Sequence, residues 1–167
     1  IQQQLGGVEA GLLIGLLHDL GKYSKEFQGY IKSALGLTNC DEDDYVDAAA
    51  KRGKVDHSSA GAQYIWRALS PKGSLELRVA QILALCIASH HSGLIDCLSP
   101  DGEDTFSNRM LKAKTKTHLD EITTEATMGI RERADTLLSN PELTNTVRHL
   151  IRKILLANSV DKRINQT

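Results

Sequence analysis

The sequence predicts an all-α fold, a compact bundle of helices, and three observations carry this prediction. Helix-forming residues dominate the 167 residues, and few runs show the alternation that is typical of β-strands. Hydrophobic residues make up 41% of the chain and aromatic residues only 4%, so the core must consist mainly of Leu, Ile, Val and Ala. Three prolines over this length are compatible with long helices. Because the length suits one sizeable core and nothing marks a boundary, we predict a single domain over residues 1–167.

Hydrophobic periodicity and helix-end signals place the helices along the chain. The predicted helices cover residues 8–20, 24–35, 57–69, 75–90 and 141 to about 163. Gly21 is expected to end the first helix, Ser24 to cap the second, and Asn140 before Pro141 to cap the last. Residues 106–139 are helical by composition but polar, with Gly129 inside, so we expect two helices there. Loops are predicted over 38–47, 70–74 and 91–105.

The formal net charge of −1 shows no electrostatic footprint of nucleic-acid binding for the chain as a whole. The charge is uneven, however, since acidic residues cluster over 41–47 and a basic run follows later in the chain. That run consists of Arg109, Lys112, Lys114 and Lys116. An ordinary solvated face is the simpler interpretation of each cluster. A path for single-stranded DNA is the alternative for the three lysines, although no aromatic residues that could stack on bases lie nearby in the sequence.

Cysteine usage and hydropathy bear on the compartment. Cys40, Cys86 and Cys97 are odd in number and lack C-x-x-C spacing, so neither a disulfide framework nor a zinc ribbon is predicted. A reducing compartment fits best. With no signal peptide and no apolar stretch long enough to span a bilayer, we predict a cytoplasmic protein without a membrane partner. The chain begins at Ile1, without an initiator Met and close to a helical pattern, which indicates a fragment whose beginning is missing.

Histidines and aspartates fall at the ends of apolar helix stripes. On the first helix, His18 continues the face of Ala10, Ile14 and Leu17, and Asp19 follows it. The same periodicity turns further polar side chains inward on three later helices, namely His57, His90 and Asp161. One such histidine is usually satisfied by a hydrogen bond. Three histidines and two aspartates brought together are hard to satisfy in that way, so we predict a bound metal.

Neutral imidazoles and carboxylates are ligands of intermediate hardness. They suit manganese, iron, cobalt, nickel or zinc better than magnesium, which is hard and dehydrates reluctantly. His91 directly follows His90, and adjacent residues at a helix end diverge by roughly 100°. Both histidines can therefore serve one large site, or one of them can support the site without touching the ion.

Three motifs follow one another in the chain: HDLGK at 18–22, DHSSAGA at 56–62 and HHSGL at 90–94. The segment YSKEFQ at 23–28 directly follows the first motif. Over residues 12–110, and weakly near 155–163, this combination resembles the HD nuclease domain of the CRISPR-associated type I helicase-nuclease. The resemblance implies a helical bundle of the HD-domain type, with a metal site where helix ends converge.

The resemblance also implies a pair of divalent metal ions with Asp19 as the bridging ligand. By this resemblance the first ion is held by His18, Asp19 and Asp161, and the second by Asp19, His57, His90 and His91. Lys22 would face the scissile phosphate and form the catalytic pair with Asp19. Ser58 would contact a substrate phosphate, although a residue that opens a helix is more simply a cap. His118 and His149 match no motif and are taken as surface or packing residues.

The chain departs from the family pattern before the first motif. The family has an additional histidine upstream of the HD pair, whereas no histidine precedes His18 here. Glu9 cannot replace it, because nine residues are 2.5 helical turns at about 3.6 residues per turn, which turns Glu9 to the opposite face. We therefore expect the second metal position to be better occupied. The first would be empty, weakly held or completed by a histidine upstream of Ile1.

These observations predict a metal-dependent phosphodiesterase, an HD nuclease that cuts single-stranded DNA in type I CRISPR interference by two-metal hydrolysis. The resemblance implies a helicase domain, fused or separate, that supplies the strand, and an RNA-guided surveillance complex that recruits it. Two alternatives remain open. The first is an HD phosphohydrolase acting on small nucleotides, which the near-neutral charge favours slightly. The second is a catalytically silent HD module kept for docking.

Overall fold

The computed structural model describes residues 7–38, 40–41, 45–91, 93–122 and 124–164, with only the backbone described over 154–164. The described residues form α-helices and short 3₁₀ turns, with no strand beyond an isolated bridge between Leu98 and Asp104. The helices are α1 Val8–Leu17, α2 Lys25–Ala34, α3 Ala48–Lys51, α4 Ser58–Leu69, α5 Ser74–Ala88, α6 Thr105–Leu111, α7 Lys114–Thr117, α8 Met128–Ser139 and α9 Pro141–Ile164. The 3₁₀ turns are Leu20–Tyr23, Ser70–Lys72 and Glu125–Thr127. The all-α prediction is confirmed.

Helices α4 and α5 form the centre of the bundle and pack along each other. Their buried faces are apolar, and Ile65 and Ile87 are fully buried. On α5 the predicted face is partly wrong, because Ile82 and Cys86, which the periodicity places on the same face as His90, are exposed. Helix α1 adds Leu13 and Leu17 to the same core, while α8 and α9 cover it with a further layer. The core therefore lies behind the helix ends that carry the histidines, and it fixes those ends relative to one another.

The end of the first helix differs from the prediction. Helix α1 ends at Leu17 rather than at residue 20, and the chain continues through His18 and Asp19 into the 3₁₀ turn Leu20–Tyr23. Gly21 lies inside that turn and does not end a helix. Its role is a close approach, because a Cβ atom at this position would lie 2.3 Å from the His57 carbonyl oxygen.

Other boundaries shift by smaller amounts. The predicted cap of α2 is present, since the Ser24 hydroxyl accepts a hydrogen bond from the Phe27 amide. Asn140 likewise accepts from the Glu142 amide at the start of α9. Helix α5 ends at Ala88, so His90 lies just beyond the helix and not within it. The polar segment 106–139 contains three α-helices instead of two, because residues 112–113 are extended and break the first part.

Helix α3 was not predicted, and it begins where the Asp47 carboxylate accepts a hydrogen bond from the Ala50 amide. The predicted loop over 38–47 falls partly on residues 39 and 42–44, which lie outside the described residues. Cys40, Cys86 and Cys97 are free and exposed. Within the described part of the chain, none of the helices has the length and apolar character needed to cross a membrane.

Candidate metal centre

Three chain segments meet at one end of the α4–α5 pair. His18 and Asp19 follow the end of α1, His57 stands at the N-cap of α4, and His90 and His91 follow the end of α5. One imidazole nitrogen from each of three histidines and one carboxylate oxygen lie within 4.8 Å of one another. We call this group the Asp19 cluster; its members are Asp19, His57, His90 and His91.

Two glycines bring these segments into contact. A Cβ atom at Gly61 would lie 1.9 Å from the Leu17 carbonyl oxygen, so only glycine lets α4 cross the end of α1 at this distance. The Gly21 amide donates a hydrogen bond of 3.2 Å to the His57 carbonyl. Backbone contacts therefore set the distance between the turn that carries Asp19 and the start of α4.

The ring orientation of the histidines is fixed by main-chain carbonyls. The Nδ1 atom of His57 lies 3.2 Å from the Val55 carbonyl oxygen, and that of His90 lies 2.7 Å from the Ile87 carbonyl oxygen. A carbonyl oxygen only accepts, so Nδ1 carries the proton in both rings. In a neutral ring of this kind the Nε2 atom has a lone pair, which is the form of histidine that ligates a metal.

The two oxygens of Asp19 face different neighbours. Oδ1 lies 3.5 Å from His90 Nε2 and 3.9 Å from His57 Nε2. Oδ2 accepts a hydrogen bond of 2.8 Å from Lys22 Nζ and lies 3.1 Å from His18 Nε2. Partial burial raises the pKa of Asp19, but the Lys22 hydrogen bond and the nearby positive charges outweigh it and lower the pKa below its ordinary value of 3.8. The carboxylate is therefore ionised, with one oxygen toward each side.

Two polar atoms lie at the centre of the cluster. Asp19 Oδ1 and His90 Nε2 are both buried, and neither has a hydrogen-bond partner among the described residues. Burying an unsatisfied polar atom costs about 1–3 kcal/mol, so two facing each other need an explanation. A divalent cation accounts for both, because each atom has a lone pair to give and the donor set of imidazoles and a carboxylate suits a transition metal. The residues present fit a metal ion.

His91 closes the cluster from the solvent side. Its Nε2 atom lies 2.6 Å from His57 Nε2, and its side chain is exposed. Desolvation and then the charges of His90 and His57 lower the pKa of His91, which favours the neutral imidazole that a metal requires.

The other predicted ligands are placed differently. His18 lies beside the cluster, with its ring edge-on to His90 at 5.1 Å between centroids and its Nδ1 2.9 Å from the Gly15 carbonyl oxygen. Asp161 belongs to the backbone of α9, but its side chain lies outside the described residues. Its prediction as a ligand therefore stays a prediction.

The predicted substrate contacts do not form one group. Ser58 is buried, and its hydroxyl accepts a hydrogen bond from Arg109 Nη2. A side-chain hydrogen bond at the start of α4 comes instead from Asp56, the residue before the N-cap His57, whose carboxylate accepts from the Ser59 amide. Lys112 is exposed and lines a cleft of about 550 Å³ together with Asp56 and Arg109. Lys114 and Lys116 are exposed on α7.

Sequence reasoning missed two side chains beside the cluster. The Phe27 ring packs on His57 with 5.1 Å between centroids, and Lys22 Nζ lies 5.9 Å from the centre of the same ring. The sequence analysis assigned no role to Asp56 beyond its place in the DHSSAGA motif. An aspartate three residues before Ser59, at the start of a helix, is a capping signal. That signal could have identified it.

His118 is not a surface residue. Its side chain is only 10% exposed, and both ring nitrogens contact carboxylates: Nδ1 lies 2.9 Å from Glu121 and Nε2 lies 3.1 Å from Glu26. The left-handed backbone at His118, with φ 59°, turns the ring toward α2. We call His118, Glu26 and Glu121 the His118 cluster. His149 is exposed on α9, as expected of a residue outside every motif.

Comparison with known proteins gives one finding. The family model described as Cas3, HD domain, matches residues 9–156 of the chain. Searches of curated proteins and of solved structures found no match.

Proposed function

Since the chain belongs to the Cas3 HD-domain family of metal-dependent nucleases in CRISPR systems, we propose that it hydrolyses phosphodiester bonds of single-stranded DNA. The family model covers most of the chain, including all three motifs. The proposal extends the family assignment to a substrate, a reaction and a set of residues.

One observation carries the proposal. Asp19 Oδ1 and His90 Nε2 face each other at 3.5 Å as buried atoms without hydrogen-bond partners among the described residues. Asp19, His57, His90 and His91 would hold one divalent transition-metal ion there. When bound, such an ion lowers the pKa of a coordinated water and stabilises charge on phosphate oxygens.

A second ion would lie on the other side of Asp19, held by Oδ2, His18 and Asp161. The outward position of Oδ2 and its 3.1 Å contact with His18 Nε2 support this assignment. Lys22 already occupies Oδ2 with a hydrogen bond of 2.8 Å, so this position is the weaker of the two. We therefore expect the position on the Oδ1 side of Asp19 to be better occupied.

Lys22 has a role of its own in this reaction. Its ammonium group is held by the Asp19 carboxylate and lies near the Phe27 ring, yet its side chain is 37% exposed. A positive charge held in this way is ready to meet a negatively charged phosphate oxygen as charge develops in the transition state. Lys22 thus acts as an electrostatic catalyst while it orients Asp19.

The strand would approach across the exposed side of the cluster. His91 is exposed there, while Lys112 in the cleft beside Asp56 and Arg109 offers a charge for the backbone phosphates. Lys114 and Lys116 would extend this path along α7. We further propose that a helicase feeds the strand to this domain, that an RNA-guided surveillance complex recruits the nuclease, and that the protein is cytoplasmic.

The test is a cleavage assay on the purified protein together with analysis of its metal content. Circular single-stranded DNA, duplex DNA and free nucleotides are each offered with manganese, cobalt, nickel, iron or magnesium. We expect the circle to be cut with a transition metal, and Lys22→Ala to lower kcat while His149→Ala does not. Hydrolysis of nucleotides but not of the circle would instead identify a small-nucleotide phosphohydrolase. No hydrolysis under any condition would identify a silent docking module.

A further inference from the structure

Arg109 on α6 reaches two segments that carry histidines of the Asp19 cluster. Its Nε donates to the Ser59 hydroxyl at 2.7 Å, and its Nη2 donates to the Ser58 hydroxyl at 2.6 Å. Its Nη1 donates to the Ala88 carbonyl at 3.3 Å. One guanidinium group thus joins the start of α4 to the end of α5.

The residues that accept these hydrogen bonds are close in sequence to the cluster. Ser58 directly follows His57, and Ala88 lies two residues before His90. Arg109 Nη2 also lies 3.7 Å from Asp56 Oδ1, on the other side of His57. These contacts are made to residues that flank His57 and precede His90 in the sequence.

Burial and geometry make arginine the suited residue here. Ser59 is fully buried and the Arg109 side chain is 22% exposed, so the hydrogen bonds are shielded from water. The guanidinium presents five donors in a rigid plane, whereas a lysine presents one flexible ammonium group. A lysine at this position cannot meet both hydroxyls and the carbonyl at once.

The basic run in the sequence therefore divides into two kinds of residue. Lys112, Lys114 and Lys116 are exposed, as expected of a solvated face or a path for nucleic acid. Arg109 directs Nε, Nη1 and Nη2 into the protein, which differs from the solvated-face interpretation of the whole run. Its guanidinium group therefore forms hydrogen bonds within the protein.

We infer that Arg109 is a positioning residue that holds His57 and His90 at the separation at which they can share a metal ion with Asp19. The inference rests on the proposed function of the Asp19 cluster. Arg109 acts through Ser58, Ser59 and the Ala88 carbonyl, and its role is to position the ligands and not to be one.

The experiment measures manganese binding by titration calorimetry on metal-free protein. Arg109→Lys is compared with Arg67→Lys, the same change at an exposed arginine on α4. We expect Arg109→Lys to raise the Kd for Mn²⁺ about tenfold, as is typical when a residue supporting a metal ligand is lost, and Arg67→Lys to leave it unchanged. The histidine ¹H–¹⁵N spectrum of the metal-free protein should show shifted His57 and His90 signals and an unshifted His118 signal.

A second variant covers the case in which Arg109→Lys does not fold. Ser58→Ala removes one acceptor and keeps the arginine, so a rise in Kd smaller than that of Arg109→Lys is expected. If both variants fold, the Kd of the double variant should lie within about twofold of the Kd of Arg109→Lys. The reason is that both substitutions act through one contact.

The outcomes separate the inference from the proposed function. Wild-type affinity in Arg109→Lys and Ser58→Ala, with metal bound by the wild type, overturns the inference alone. A higher KM for DNA with unchanged Kd for Mn²⁺ also overturns it, because Arg109 would then be a substrate contact. A wild-type protein that binds no divalent ion overturns both.

Discussion

The molecule brings histidines and carboxylates together twice, in the Asp19 cluster and in the His118 cluster. In the His118 cluster both ring nitrogens contact carboxylates, Glu121 at 2.9 Å and Glu26 at 3.1 Å. In the Asp19 cluster, His90 uses Nδ1 on the Ile87 carbonyl and leaves a buried Nε2 without a hydrogen-bond partner in the described part of the chain. The first arrangement satisfies its own polar groups, whereas the second leaves two buried atoms that a cation could join.

The difference separates two uses of buried histidine. His118 joins α2 to the segment after α7, because Glu26 lies in the first turn of α2. Two further groups contact the carboxylates of this cluster. Lys51 Nζ lies 2.6 Å from Glu26 Oε1, and the Lys25 amide donates to Glu121 at 2.8 Å. Both carboxylates there have partners, so we expect the cluster to stabilise the fold. In the Asp19 cluster, two buried atoms without hydrogen bonds to any described residue point to binding.

The largest expected effect distinguishes the clusters by activity. Asp19→Ala should lower kcat/KM for DNA cleavage by about 10³-fold or more, since it removes several kcal/mol of transition-state stabilisation. The fold should be kept, because Asp19 is 36% exposed and lies outside the core. Circular dichroism and a cleavage assay on the same preparation check this. A folded variant that still cuts would show that Asp19 is not a ligand.

The next effect concerns the two sets of histidines. His57→Ala and His90→Ala should each cost far more activity than His118→Ala or His149→Ala, about 10²-fold against less than threefold. The reason is that only the first two have an Nε2 directed at Asp19. Rates at saturating metal provide the measurement. Equal losses in all four variants would indicate general destabilisation.

Metal binding should stabilise the protein through the Asp19 cluster alone. Mn²⁺ at a hundred times its Kd should raise the free energy of unfolding by about 2.7 kcal/mol, and Mg²⁺ at the same concentration by much less. His118→Ala should keep this gain and Asp19→Ala should lose it. Thermal unfolding with and without each ion is the assay. An equal gain from Mg²⁺ would contradict the assignment of three imidazole ligands.

Stability without metal should depend on the other cluster. His118→Ala should lower the free energy of unfolding by about 1–3 kcal/mol, because the partly buried Glu26 and Glu121 lose a shared partner. His149→Ala, at an exposed site, should change it by less than about 0.5 kcal/mol. Urea unfolding of the metal-free proteins compares them. Similar stabilities would show that the His118 contacts contribute nothing to the fold.

The smallest effect is a pH dependence in the His118 cluster. Burial raises the pKa of Glu121, but hydrogen bonds from His118 and from the Lys25 amide outweigh it, so the pKa lies below the ordinary 4.5. A carboxylate with a lowered pKa stabilises the folded state above 4.5, and this contribution is lost as the pH falls through the folded-state pKa. Glu121→Gln should therefore be less stable at pH 7 by about 0.5–1 kcal/mol.

The difference in stability between Glu121→Gln and the wild type should disappear as the pH falls below 4.5. Urea unfolding across this range measures it, with Glu125→Gln as a control at an exposed site. A gap that stays constant down to pH 3 would place the effect of Glu121→Gln in packing rather than in charge.

Helical periodicity predicted much of the fold and the main members of the site. It predicted His57 and His90 on inward helix faces, and the structure brings both beside Asp19. On α5, however, Ile82 and Cys86 of the same predicted face are exposed, so the buried face differs from the predicted one. It placed His90 inside the helix, which in fact ends two residues earlier. Periodicity reports a face of a helix, and it is insensitive to where the last turn opens.

Helical periodicity could not predict the side-chain contacts between different helices. Arg109 meets Ser58 and Ser59 across 50 or more residues, and a basic run gives no sign that one member turns inward. His118 lies between a short helix and a turn with a left-handed backbone, where no period applies. Such roles depend on packing between elements, which a single sequence does not encode locally.

The glycine contacts also bear on which ions the centre can accept. The Gly61–Leu17 and Gly21–His57 approaches are between backbone atoms, which cannot move by changing a rotamer. Side chains on long flexible arms adjust to the radius of an ion, whereas a turn pressed against a helix resists such adjustment. We therefore expect affinity across the divalent series to follow ionic radius with a sharp optimum, in place of the smooth rise from manganese to copper that flexible ligands give.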